Sequence, residues 1–172
     1  MENSGFTIIE ILVVFALLAA LAVGLLAALD PLEQIKKGTD QSLAKLTEEV
    51  QRASIRYYTS QMKMPWTDDV GLDNPYGPEG AVSLNDSGAQ DYLREIIRLG
   101  ELKDDFIALA GNKLEKVYLY SANRDQVSVC FQPVSKAFQA DLNTVYNNMG
   151  SKAGQDNCKA KGGSQDCFWC IQ

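Results

Sequence analysis

The chain opens with a long apolar segment. From Ile11 to Leu29 no side chain is charged or strongly polar. A helix over 6–29 is roughly 36 Å long at about 1.5 Å per residue, and the hydrocarbon core of a bilayer is about 30 Å thick. We therefore expect a membrane-spanning helix. A buried helix of a soluble domain and a cleaved secretory signal fit less well, because the segment is apolar on every face and no basic residue precedes it.

A second helix is predicted directly after this segment. Asp30 can serve as its N-cap, Pro31 suits the first helical position, and Glu33 completes a capping box. The chain therefore restarts or kinks a helix at this point. Apolar and small residues then recur at spacings of three and four, which predicts one face packed on a small sheet. The positions on this face are Leu32, Ile35, Thr39, Leu43, Leu46, Val50, Ala53 and Tyr57.

The rest of the chain predicts a small α+β domain with an antiparallel sheet. Turn residues are dense from Met64 to Gly88, which indicates a long loop. Ala89 to Leu99 predicts a short helix, stopped by Gly100. Lys113 to Tyr120 and then Val127 to Phe131 alternate between apolar and polar positions, which predicts a β-hairpin with its turn over 121–125. Residues 135–149 stay ambiguous between helix and loop, and irregular chain is expected after residue 150.

Composition excludes several classes of function. The formal net charge is -6, whereas nucleic-acid binding requires a basic surface, so no nucleic-acid partner is expected. The acidic excess lies within residues 65–106 and is most simply a solvated face; its acids match no calcium-loop spacing. Histidine is absent from the sequence, which removes the commonest general base near neutral pH and the commonest metal ligand. We expect neither catalytic residues nor a bound metal or cofactor.

One acidic residue interrupts the apolar segment. Glu10 lies about one helical turn inside it, where an ionised carboxylate costs a few kcal/mol unless it is paired. A glutamate near a helix end can also reach back towards the membrane interface. If the chain were cut between Gly5 and Phe6, the new α-amino group would be a cation in the same layer. It could pair with Glu10 within one chain or between neighbouring chains.

Residues 5–14, with the sequence GFTIIEILVV, resemble the processing site of type IV prepilins and type II secretion pseudopilins. The resemblance implies cleavage after Gly5 by a prepilin peptidase and N-methylation of Phe6. It also implies that Glu10 helps to dock an incoming subunit in the membrane. The leader has Glu2 where the family usually has basic residues.

The resemblance implies an organisation and a function. We expect a leader over 1–5, a membrane and filament-core helix over 6–30, an amphipathic stem over 31–63, and an extracellular head over 64–172. The expected function is a structural subunit of a type IV pilus-like filament for adhesion, motility or secretion, as a major pilin, a minor pilin or a pseudopilin. Its partners would be further copies of the chain in a helical filament, prepilin peptidase, the inner-membrane assembly platform and the membrane. The alternative is an uncleaved single-span protein that displays a binding or thiol-redox domain.

The cysteines all lie in the last part of the chain, at Cys130, Cys158, Cys167 and Cys170. In an exported protein such a set predicts two disulfides. Three pairings are possible, and a bridge from the C-terminal tail to the strand at Cys130 is favoured, because an unstructured terminus gains most from attachment to a sheet. Two alternatives are a redox-active pair in the Cys-x-x-Cys motif and a zinc site of four thiolates.

Overall fold

A computed structural model describes residues 7–28, 30–66, 81–123, 126–147, 152, 157–158, 163 and 166–172. The predicted processing site, Gly5 and Phe6, lies outside these residues. The chain divides into two compact units, Met1–Ile35 and Lys36–Gln172. The fold is α+β, with a long apolar N-terminal helix and a small antiparallel sheet.

The first helix, α1, spans Ile8–Ala28. Its Ile8–Leu26 stretch has a mean hydropathy of 2.8, and none of this stretch is buried within the chain. A core helix of a soluble domain would have a buried face, and the Ile8–Leu26 stretch has none. By length and composition, this helix is able to cross a membrane.

The second helix, α2, spans Pro31–Gln61. Asp30 Oδ1 accepts a hydrogen bond from the Glu33 backbone N–H at 3.2 Å, which is the N-cap arrangement that the sequence predicts. Proline suits the first helical position because its missing N–H would have no partner there.

The predicted apolar face of α2 is buried only from its second third onward. Leu43, Leu46, Val50, Ala53 and Tyr57 are buried as predicted. The prediction is wrong for the first part of the face, because Leu32, Ile35 and Thr39 are exposed. Asp40 is buried in place of Thr39, since a hydrogen-bonding network described below accommodates its carboxylate.

The remaining helices are short. They are α3 over Ser87–Arg98, α4 over Phe106–Ala110, a 3₁₀ helix over Gly111–Lys116, and α5 over Lys136–Gln139. The predicted helix over 89–99 is confirmed as α3, with Asp86 as its N-cap accepting from Gly88 N–H at 3.0 Å. Gly100 has φ +77° just after it, a left-handed conformation that glycine adopts without steric cost.

The sheet contains five strands among the described residues, in the order β1-β2-β3-β5-β4 and antiparallel throughout. The strands are β1 over Val82–Ser83, β2 over Val117–Asn123, β3 over Gln126–Phe131, β4 over Thr144–Tyr146 and β5 over Phe168–Ile171. The predicted hairpin is confirmed as β2–β3.

The structure corrects several local predictions. Lys113–Lys116 belongs to the 3₁₀ helix because Leu114 turns into the core, 1% exposed. The strand β2 then continues through Asn123, beyond the predicted start of the turn at 121. Of the loop predicted over 64–88, residues 67–80 lie outside the described part of the chain, and Val82–Ser83 forms a strand that pairs with β2. The largest error concerns the C-terminus, where Phe168–Ile171 forms an inner strand between β3 and β4 and is not irregular chain.

The main core lies between α2, α3 and one face of the sheet. Residues on alternate positions of three neighbouring strands share this face: Val117 and Leu119, Val129 and Phe131, and Trp169. A smaller cluster lies on the opposite face, formed by Cys130, Val145, Tyr146 and Cys170 with Phe168. Both faces of the central strands are therefore buried.

Candidate functional site: the N-terminal acid, the second helix and the disulfides

Glu10 forms a capping box with Thr7 at the start of α1. Glu10 Oε2 accepts from the Thr7 backbone N–H at 2.8 Å and from Thr7 Oγ1 at 2.7 Å. Thr7 Oγ1 in turn accepts from the Glu10 N–H at 3.3 Å. This reciprocal pattern satisfies two N–H groups that a helix start leaves without intrahelical partners. Glu10 is the only ionisable residue in α1, and it has a local partner within its own chain.

A buried carboxylate joins α2 to the segment that follows β3. Asp40 is 0% exposed and accepts hydrogen bonds from the backbone N–H groups of Val134 at 3.1 Å and Ser135 at 2.7 Å. The Ser135 hydroxyl also donates to Asp40 at 2.6 Å. The same hydroxyl oxygen accepts from the Phe138 N–H at 3.3 Å and so caps α5. Asp40 thereby fixes the start of α5 against α2.

Sequence reasoning missed Asp40, and only a weak signal points to it. Asp40 lies three residues before Leu43 and seven before Thr47, on a helical face with both. An acid at such a position is usually assigned to solvent. The partners that justify its burial come from residues 134–135, remote in sequence.

The C-terminal half of α2 is tied to α3 and the loop after it by polar contacts. Arg56 Nε lies 2.7 Å from Glu101 Oε2, and Arg56 Nη2 donates to the Glu101 carbonyl at 2.6 Å. Tyr57 shares a side-chain hydrogen bond with Glu95, which is also paired with Arg98 at 2.6 Å. Burial, and secondarily the Glu95 charge, raise the pKa of Tyr57. The Arg98 hydrogen bond lowers the pKa of Glu95, and Glu95 raises that of Arg98.

All four cysteines form disulfides, Cys130–Cys170 and Cys158–Cys167. Cys130 and Cys170 are direct partners across β3 and β5, with a Cα–Cα distance of 4.1 Å. Such cross-strand neighbours bring their Cβ atoms close together. The prediction of two disulfides, one of them joining the tail to the strand at Cys130, is confirmed.

The disulfide pairing does not support either thiol alternative. The two cysteines of the Cys-x-x-Cys motif, Cys167 and Cys170, belong to different bridges, so they are not a redox couple with each other. None of the four is a free thiolate that could bind zinc. Among the described residues, no group of three or more His, Cys, Asp or Glu side chains is arranged to hold a metal ion.

The predicted site residues fall into separate parts of the chain. Glu10, Asp30 and Pro31 belong to the first compact unit, and the cysteines belong to the second. The structure brings the cysteines together in pairs. It does not assemble the predicted residues into a catalytic cluster in the part of the chain that it describes.

Comparison with known proteins yields no relative: no protein-family model, curated protein or solved structure matches the chain. The class of protein therefore follows from the fold and the site alone. It is an α+β chain with one N-terminal helix able to span a membrane and a disulfide-bonded domain.

Proposed function

We propose that the chain is a membrane-anchored structural subunit of a type IV pilus-like filament, acting without catalysis. The observation that carries the proposal is the position of Glu10, the single ionisable residue of an otherwise apolar helix. An acid inside a membrane segment is rare and calls for a partner. A neighbouring subunit whose N-terminus is a free amine at Phe6 would supply that partner and fix the axial offset between subunits.

The second unit supports the same proposal. Its disulfides are typical of proteins that fold outside the reducing cytosol, which fits a head on the outer side of the membrane. A long α2 packed on an antiparallel sheet gives the head a rigid support. Prepilin peptidase and the assembly platform are the partners that this proposal requires.

A second candidate is an uncleaved single-span protein that displays a binding domain. The Thr7–Glu10 capping box favours it, because the box gives Glu10 a purely structural role within one chain. The two proposals differ in what they require of the carboxylate: a helix cap needs an acceptor, whereas docking onto an amine needs a negative charge.

The variant Glu10→Gln separates these two requirements. Glutamine serves at the third position of a capping box as glutamate does, but it has no charge. The proposal predicts that Glu10→Gln inserts into the membrane normally and yields at least about tenfold less sheared filament, as expected from about 1.4 kcal/mol or more of lost pairing. The measurement is the ratio of sheared to membrane-bound protein on immunoblots.

Thr7→Val is the matched control, because it removes the Thr7 side chain from the capping box and leaves the Glu10 charge in place. We expect this variant to retain most of its filaments. Wild-type filament yield from Glu10→Gln, or equal losses from both variants, would show that Glu10 is only a cap.

A further inference from the structure

A groove lies on the surface of the second unit, between α2 and the α4–3₁₀ segment. Its volume is about 240 Å³, below the roughly 300–1,000 Å³ typical of small-molecule pockets. It therefore suits one or two side chains of a protein partner better than a cofactor. Its lining residues are Ser42, Lys45, Leu46, Glu49, Lys103, Phe106, Leu109, Ala110 and Lys113.

The groove has an apolar floor and an exposed leucine at its edge. Leu46, Phe106 and Ala110 form the floor and are buried. Leu109, on α4, is 70% exposed in the single chain, so no described part of the same chain covers it. An apolar centre with a charged rim is the composition of a protein-docking surface.

The rim is predominantly basic. Lys45, Lys103 and Lys113 form no ion pair within the described residues, although Lys113 Nζ donates to Ser42 Oγ at 2.8 Å. Glu49 is the one acid of the lining. Three lysines against one acid favour an occupant that carries several carboxylates together with apolar side chains.

The sequence of the chain itself contains such a segment. Residues 67–80 carry acids and no Lys or Arg, and they also carry apolar side chains. The acids are Asp68, Asp69, Asp73 and Glu79, and the apolar side chains include Val70, Leu72 and Tyr76. These residues lie outside the described part of the chain.

We infer that the groove binds residues 67–80 of a second copy of the chain. The groove and residues 67–80 are different parts of the sequence, so a contact between them in two copies is heterologous, and a repeated heterologous contact that does not close produces a helical filament. The inference rests on the proposed function and adds to it a specific contact between heads, formed by lysines on one copy and carboxylates on the next.

Photo-crosslinking of the full-length chain in its native membranes tests the contact. Benzoylphenylalanine replaces Leu109 in one tagged copy, and a second copy is expressed with it, labelled by Val70→Ile, which makes its 67–80 peptide heavier by one methylene group. We expect crosslinks from position 109 to residues 67–80 of the labelled chain, identified by mass spectrometry. Leu142, 76% exposed, is the matched control position, and crosslinks from it to 67–80 should be absent.

Charge reversal then tests the chemistry. Lys103→Glu with Lys113→Glu should lower the crosslink yield at least about fivefold, because like charges now face each other. Combining these changes with Asp68→Lys and Asp69→Lys in the other copy should restore it. Lys116→Glu is the control, since this exposed lysine lies in the same 3₁₀ helix but does not line the groove.

Crosslinks only within one chain, crosslinks to another segment, no yield above the Leu142 control, or no response to charge reversal would each overturn the inference. The proposed function is tested separately, by whether filaments can be sheared from the cells. Wild-type filaments without the 109-to-67–80 crosslink refute this contact alone, whereas a crosslink in membranes that never form filaments refutes the filament and keeps the contact.

Discussion

At the scale of single residues, a buried carboxylate stabilises the second unit in a way that the sequence does not indicate. Asp40 accepts from two backbone N–H groups and one hydroxyl of residues 134–135. Removing it leaves the buried N–H and hydroxyl of Ser135 without this acceptor, and each unpartnered buried donor costs about 1–3 kcal/mol. The position of α5 therefore depends on an acid from a different element.

We predict that Asp40→Ala lowers the free energy of unfolding of the second unit by about 3 kcal/mol. Asp40→Asn keeps one acceptor oxygen in a side chain of the same shape, so it should lower the free energy of unfolding by less. The control Asp91→Ala removes an exposed acid that pairs only with Arg94 and should change stability by under about 1 kcal/mol. Urea unfolding of the detergent-solubilised chain, followed by tryptophan fluorescence, measures the stability of the three variants. Equal unfolding midpoints for Asp40→Ala and Asp91→Ala would contradict the role of Asp40.

A second residue-scale prediction concerns pH. The pKa of Glu95 is lowered in the folded state, first by the Arg98 hydrogen bond and also by that from Tyr57. A carboxylate with a lowered folded pKa stabilises the fold above its unfolded pKa of about 4.3, and this contribution disappears as the pH falls through the folded value. Wild type should therefore be more stable than Glu95→Gln at pH 7, and the difference should shrink below about pH 4. Thermal unfolding of both proteins between pH 7 and pH 3 (about one unit below the unfolded pKa) measures this difference in stability. A difference that stays constant with pH would show that the Glu95 carboxylate does not have a lowered pKa in the folded state.

At the scale of elements, the sequence predicts those with strong local signals. The apolar α1, the capped start of α2, the helix stopped by Gly100 and the β2–β3 hairpin all follow from periodicity, caps and alternation. The missed strands are short and depend on distant partners. The strand β1 has two residues, and β5 gains its hydrogen bonds from β3 and β4. The strand β4 has three residues and lies within 135–149, which the sequence left between helix and loop.

The strand β5 had a signal that turn-rich surroundings obscured. Phe168, Trp169 and Ile171 are residues that favour strands. Trp169 completes the core face beside Phe131, with ring centroids 5.3 Å apart, and its Nε1 donates to Asp141 at 3.2 Å. Sequence reasoning placed one end of a disulfide at Cys130 but not the strand that carries the other end.

The two disulfides should contribute unequally. Cys130–Cys170 closes a separation of 40 residues and Cys158–Cys167 one of 9. The loop-entropy relation gives about 4 kcal/mol for the first and about 2.6 kcal/mol for the second. The first also joins two paired strands, so its loss exposes β5 to fraying.

We predict that the Cys130→Ser, Cys170→Ser double variant is less stable than the Cys158→Ser, Cys167→Ser variant. Removing each complete bridge avoids a leftover reactive thiol. Urea midpoints at matched protein concentration measure the difference. A larger loss from the second variant would contradict the role assigned to β5.

At the scale of the whole molecule, the two units have different requirements. The first contains an apolar helix that no part of the described chain covers. The second is an α+β domain with its own hydrophobic core, and its four cysteines form two disulfides. The proposed anchored chain with its head outside would give the first unit a membrane and the second an oxidising compartment.

The proposed processing site at Gly5 and Phe6 depends on local sequence, because a peptidase recognises a cleavage junction directly and not through the fold of the rest of the chain. Gly5 and Phe6 lie outside the described residues. Cleavage after Gly5 bears on the Glu10 carboxylate, because the new α-amino group of Phe6 would be a cation at the same depth in the membrane. Without such a partner, Glu10 only caps α1.

The proposed function is tested by the intact mass and N-terminal sequence of protein sheared from the cell surface. We expect a chain that begins at N-methylated Phe6 and contains two disulfides. A chain that still begins at Met1 and is found only in membranes would contradict it, and would leave a membrane-anchored domain in which Glu10 serves only as the cap of its own helix.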